Sequence, residues 1–169
     1  MTLSLSHDTV ISMNDSGGPY VLIAALCETA IVARDGRVSV INVIEQVGNV
    51  QQGPDVPDEM PPFVFPAQFV IDLVGGSAKG RFAILLQPED PSGMKLPAQE
   101  FPVQFGEGTG ARVRGSIQLE LTNEGRYWID VILRRGRGST QAEELLTRMP
   151  LNVQYQPQKT MPGGSEDQE

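Results

Sequence analysis

The sequence predicts an all-β fold, a two-sheet antiparallel β-sandwich of the immunoglobulin or C2 kind. Three observations predict it. Apolar residues recur with a period of two along most of the chain, as strands with one face on a core require. Turn-forming clusters drawn from 18 Gly and 13 Pro break those runs at short intervals. About eight such runs fit into 169 residues, the number and spacing of a sandwich.

The elements follow in order. Residues 1–19, serine-rich and ending in "DSGGP", read as a flexible N-terminal arm. Residues 20–156 form the sandwich domain, and 157–169 read as a flexible acidic C-terminal tail. Runs 20–33 and 37–47 flank "RDGR", and Asp-Gly between apolar runs is a strong hairpin signal. The second run changes phase between Val40 and Ile41, which predicts a β-bulge near Asn42. The first run is apolar on both faces and should lie mid-sheet. Residues 48–62 carry Pro54, Pro57, Pro61 and Pro62, which predicts a long irregular connection. "FVFPAQFVIDLV" and "RFAILLQ" are the next strands, joined by "GGSAKG". "PEDPSG" is a polar tight turn, and a short strand follows at about 99–105. The cleanest alternation spans 111–121 and 125–134 around "TNEG", which reads as a last hairpin. "RGRGSTQAEE" is a loop with room for one helical turn at 140–146, and a final strand runs from about 146 to 155.

The formal charge of −8 argues against general nucleic-acid binding and against anionic membranes. One cysteine makes no internal disulfide, which fits a reducing compartment. The start of the chain lacks the basic and apolar segments of a secretory signal. The most apolar run is shorter than a membrane span and carries Glu28. A cytoplasmic location is expected.

Catalysis finds little footing. Cys27 lacks a histidine base, since the only histidine, His7, lies in the N-terminal arm. Adjacent Glu28 raises a thiol's pKa, and successive strand residues face opposite ways. Cys27 is therefore expected to be a buried structural residue. With one cysteine and one histidine, zinc and iron sites lack ligands. The loop carboxylates Asp55, Asp58, Glu59, Glu89, Asp90 and Glu107 keep open a ligand- or calcium-binding sandwich, although their spacing is unordered. "GEGTG" lacks the Lys-Ser/Thr ending of a phosphate loop. No enzyme activity and no cofactor are expected.

One local feature points to binding. If 111–121 pairs with 125–134, the outward residues Arg112, Arg114, Trp128, Ile132 and Arg134 gather on one surface, with Arg135 and Arg137 beside it. Arginine and aromatic residues are what protein interfaces enrich. The plainer alternative is that these arginines pair with local acids such as Glu120 and Asp130, and that Trp128 packs under a loop.

The stretch "ALCETAIVARDGRVSVINVIEQV" resembles an uncharacterised bacterial family of small β-sandwich proteins, whose first hairpin reads roughly "LLADAAxV", "DGK", "LxVLGG". Arg37 stands for the usual lysine, and Cys27-Glu28 for a small residue and an aspartate. "FAILLQPEDPSGMKL" and "LTNEGRYWIDVIL" continue the likeness in order, so that it covers most of residues 20–155. The resemblance implies a sandwich fold and no catalytic residues. The departures are the missing glycines near Asn42 and Glu45, and "RRGRG" in place of a short acidic turn. The expected function is a non-enzymatic protein-binding or assembly module that binds another protein or itself. A homo-oligomer whose doubly apolar first strand is covered by a second copy is a further alternative.

Overall fold

The computed structural model describes residues 17–135 and 142–159. They form a two-sheet β-sandwich. Among them are nine strands: β1 Tyr20–Val32, β2 Val38–Val43, β3 Gln46–Gly53, β4 Phe63–Val74, β5 Gly80–Glu89, β6 Gln99–Phe105, β7 Ala111–Leu121, β8 Gly125–Arg135 and β9 Ala142–Lys159. Sheet A has the order β2-β1-β4-β7 and sheet B the order β3-β9-β8-β5-β6. No helix among the described residues is long and apolar enough to cross a membrane.

Alternation selects the inner faces. Phe69, Ile71 and Leu73 of β4 and Val113, Ile117 and Leu119 of β7 point inward from sheet A. Ile84 and Leu86 of β5 and Tyr127, Ile129, Val131 and Leu133 of β8 meet them from sheet B. This interdigitated layer removes large apolar side chains from water, the main favourable term in folding.

Four expectations need correction. The phase change in 37–47 is not a bulge, because the β1–β2 register runs without a shift from Val32↔Val38 to Cys27↔Val43. Instead β2 ends at Val43, and the chain crosses to sheet B to begin β3 at Gln46. Residues 48–53, expected as loop, are thus part of strand β3, which pairs parallel with β9 from Gln46↔Asn152 to Gly53↔Lys159. Their polar composition hid the strand. Its partner lies about a hundred residues away in sequence, where amide pairs such as Gln46–Gln154 and Gln52–Gln158 stitch the two together. The same pairing carries β9 to Lys159, past the expected domain end at 156, and β9 begins at Ala142 where a helical turn had room.

The fourth correction matters most for function. β7 and β8 do not form a hairpin. β7 pairs with β4 in sheet A, whereas β8 lies between β5 and β9 in sheet B. Residues 122–124 carry the chain across the core. Alternation reports which face is buried, but a hairpin and an inter-sheet crossover alternate alike.

The β1–β2 hairpin forms around the Asp-Gly turn, with Gly36 at φ 83° and the Gly36 N–H donating to the Ala33 carbonyl. It does not run on flat beside β4. β1 pairs with β4 only as far as Cys27↔Gln68, and Gly36 lies about 30 Å of strand beyond that point. Yet Arg112, opposite Asp72, donates through Nη1 to the Gly36 carbonyl at 2.8 Å. The hairpin must therefore fold back across the outer face of sheet A. Ala30 N–H, donating to Gln68 Oε1, marks its path. The bend sits at Asn42, at φ 52°, a left-handed conformation that asparagine tolerates better than most residues. Asn42 Nδ2 donates to Glu28 Oε2 at 2.7 Å across it.

The polar turn after β5 is organised by Asp90. Its Oδ1 accepts from Ser92 N–H, Ser92 Oγ and Met94 N–H. The Ser92 hydroxyl first, then the Met94 N–H, lower its pKa below the usual aspartate value, against the opposing effect of desolvation. A depressed folded-state pKa adds stability that is complete above the unfolded value, about 3.9, and is lost as pH falls through the folded value. On lowering the pH from about 5 to about 2, the urea midpoint of the wild type should fall more steeply than that of Asp90→Asn. Parallel curves would remove Asp90 from the acid response.

Candidate functional site

The expected arginine–tryptophan cluster is divided between two opposite faces. Arg112 and Arg114 stand on the outer side of sheet A. Trp128, Ile132 and Arg134 stand on the outer side of sheet B, with the core between. Arg137 lies outside the described residues.

Most of these side chains are already engaged. Arg112 Nη2 meets Asp72 Oδ2 at 2.6 Å, while its Nη1 holds the folded hairpin. Arg134 bridges Glu100 at 2.7 Å and Glu143 at 2.8 Å. Arg135 pairs with Glu144 at 2.8 Å and lies over the Phe82 ring. Ile132 is only 9% exposed and packs with Ala83 and Leu85 on the outer face of sheet B. Arg114 is exposed, and it borders the folded hairpin near Ala30, Gln68 and Ser116.

Trp128 is half-buried rather than freely exposed. The guanidinium carbons of Arg126 and Arg148 lie 5.8 and 5.7 Å from its ring, within cation–π reach. Arg148 in turn donates to Asp130, which is only 3% exposed, through Nε at 2.6 Å and Nη2 at 3.2 Å. The Asp130 carboxylate raises the pKa of Arg148, chiefly by this hydrogen bonding. Glu89, at 3.2 Å from Arg148, and Lys95, at 4.0 Å from Asp130, complete the network. These contacts bind β5, β8 and β9 to one another across the outer face. The arginines satisfy local acids here, as a structural network does.

Four of the six loop carboxylates, Asp58, Glu89, Asp90 and Glu107, are similarly committed, while Asp55 and Glu59 are exposed. Asp58 meets Lys159 at 2.6 Å, Glu107 meets Lys79 at 2.8 Å, and Asp90 is turned into its own loop. Among the described residues no three metal-ligating side chains gather. Cys27 is fully buried, and burial pushes its thiol pKa up, away from the reactive thiolate.

A different surface emerges from the fold. Ten large apolar side chains are exposed among the described residues. Seven of them, Tyr20, Leu22, Ile31, Ile41, Val43, Val64 and Val74, belong to β1, β2 and β4 of sheet A. Tyr20 pairs with Val74, and Val64 shares the outward phase of β4. On the hairpin, Ala30, Val32, Val38 and Val40 are half-buried on one side, which leaves Ile31, Ile41 and Val43 on the other. The strands of sheet A and the β1–β2 turn carry four arginines and four carboxylates. In a chain of net charge −8, this side is neutral. The signal in the sequence was the phase change at Ile41 and Val43, which places apolar residues on the wrong side of a one-faced strand.

No protein-family model and no curated protein matches the chain.

Proposed function

We propose that the protein is a non-enzymatic assembly module of the bacterial cytoplasm that associates with a second copy of itself through the outer side of sheet A. The observation that carries this reading is the concentration of exposed apolar side chains on β1, β2 and β4. A solitary domain gains nothing from such a concentration, and it is the ordinary mark of an association surface. A copy of the same face is the favoured occupant because the face is charge-neutral. Two such faces meet without the repulsion that the acidic remainder of the molecule imposes. Two-fold pairing needs only one self-complementary patch. The buried, unpaired Cys27 suits a reducing compartment. The resemblance of residues 24–44 to the bacterial sandwich family implies no catalytic residues, in keeping with a non-enzymatic reading.

Sedimentation velocity on the full chain at about 50 μM should show a dimer, at a concentration where a standard interface is populated. The double substitution Ile31→Lys with Ile41→Lys should give a monomer and leave the melting temperature within a few degrees of the wild type. A wild type that sediments as a monomer at that concentration retires self-association. In that event the same two substitutions should be tested against capture of a different protein.

A further inference from the structure

A cavity of about 540 Å³ opens at the corner of the sandwich where the chain crosses from β2 to β3. Its volume lies in the range of small-molecule sites. Ile44, Val47, Phe65 and Ala67 supply an apolar floor from the margin of the core. Glu28, Gln46, Gln68 and Ser116 are exposed around it. An apolar floor with a few convergent polar groups is the ordinary make-up of a ligand pocket.

The polar groups specify the ligand's charge. Glu28 is the only ionised side chain in the lining. Among the described residues no cation pairs with it, and its one named partner is the neutral Asn42 amide at Oε2. Gln46 donates one Nε2 N–H to Gln154 and keeps its carbonyl oxygen as an acceptor, whereas Gln68 Oε1 accepts from Ala30 N–H and its Nε2 remains a donor. Ser116 adds a hydroxyl that accepts or donates. The lining is therefore a polar rim with a single negative charge around an apolar body.

We infer that this cavity binds a small organic cation, an ammonium or guanidinium group carried on an apolar body, with Glu28 as its counter-ion and the Ile44–Phe65–Ala67 floor taking the apolar part. The site shares none of the exposed apolar residues of the association surface, although Gln68 and Ser116 place it beside that surface on the outer side of sheet A.

The probes are 2-phenylethylamine and its neutral analogue 2-phenylethanol, titrated into the full chain and followed by amide chemical shifts. The amine should bind at least ten-fold more tightly, with shifts centred on Glu28, Ile44, Gln46, Gln68 and Ser116. Glu28→Gln keeps an oxygen for Asn42 to donate to, and should reduce the amine to the affinity of the alcohol. Ser116→Trp, a change at an exposed position, should block both probes. Equal binding of amine and alcohol by the wild type overturns the inference, as does an amine affinity unchanged in Glu28→Gln. So does an absence of shifts at about 10 mM amine, well above the affinity expected of so small a ligand. Sedimentation of the same samples reports self-association separately, so that either idea fails alone.

Discussion

Phe69→Ala lowers stability by about 3–5 kcal/mol, and a larger residue at position 115 recovers part of the loss. Phe69 is fully buried at the centre of β4 and stacks edge-to-face on Phe101 of β6, with ring centroids 4.8 Å apart, tying sheet A to sheet B. Its cross-strand partner in β7 is Gly115. A Cβ at Gly115 would stand 3.1 Å from the Phe69 ring and 3.6 Å from that of Phe101, so the glycine makes room for the aromatic pair. Deleting the ring costs its transfer energy and leaves a void that the neighbours fill only partly. Gly115→Val alone should overpack the same spot and cost about 1–3 kcal/mol. In the double variant the valine occupies the void, so the two losses should combine to at least about 1 kcal/mol less than their sum. Urea denaturation of the four proteins measures this directly. Strict additivity would mean that the two positions do not share space.

Tyr127→Phe should cost about 2–3 kcal/mol, although it removes a single oxygen. Tyr127 is buried near the start of β8, and its hydroxyl reaches back to the crossover from β7. The oxygen accepts from the N–H groups of Thr122 and Asn123, both at 3.1 Å, and the hydroxyl donates to the Asn123 carbonyl at 3.2 Å. One side chain thus pairs three backbone groups in the segment that leaves sheet A for sheet B. Similar tyrosine corners occur in other Greek-key sandwiches. Phenylalanine fills the same space but leaves those groups without their partner, and a part-buried amide loses more by going unpaired than an average hydrogen bond contributes. Hydrogen exchange should localise the effect, with Thr122 and Asn123 exchanging much faster than in the wild type. If the exchange rates and the urea midpoint are both unchanged, the hydroxyl does not hold the crossover.

These two positions show why some features were legible and others were not. Alternation within "FVFPAQFVIDLV" and "GRYWIDVIL" puts Phe69 and Tyr127 on inward faces, since burial on one side of a pleat leaves a period of two in the local sequence. That Phe69 faces a glycine on β7, and that Tyr127 bonds the chain behind it, depend on which strand lies next to which. The error over β7 and β8 has the same origin. "TNEG" between two alternating runs fits a hairpin and a crossover equally well, and a hairpin would place Arg112 and Arg114 beside Trp128, whereas the crossover puts them on the opposite face. Arg134 and Arg135 belonged to the expected partner-binding surface. Their acids, Glu100, Glu143 and Glu144, come from β6 and β9, and no spacing along the chain announced them. Glu28, a carboxylate within an apolar run, stays exposed, and its Oε2 accepts from the Asn42 amide across the bend.

By itself, the sequence determined the all-β class, most strand positions, the Asp-Gly hairpin, the inward-facing residues and the burial of Cys27. Each of these follows from local chemistry: side-chain period, turn-residue conformations and the cost of leaving apolar groups in water. The tertiary structure alone decided the parallel pairing of β3 with β9, the fold-back of the β1–β2 hairpin, the separation of the arginines onto two faces and the cavity beside Glu28. Those depend on contacts between residues tens of positions apart. Their energies come from interactions such as Arg112 with Gly36 and Gln46 with Gln154, which exist only once the chain has closed on itself.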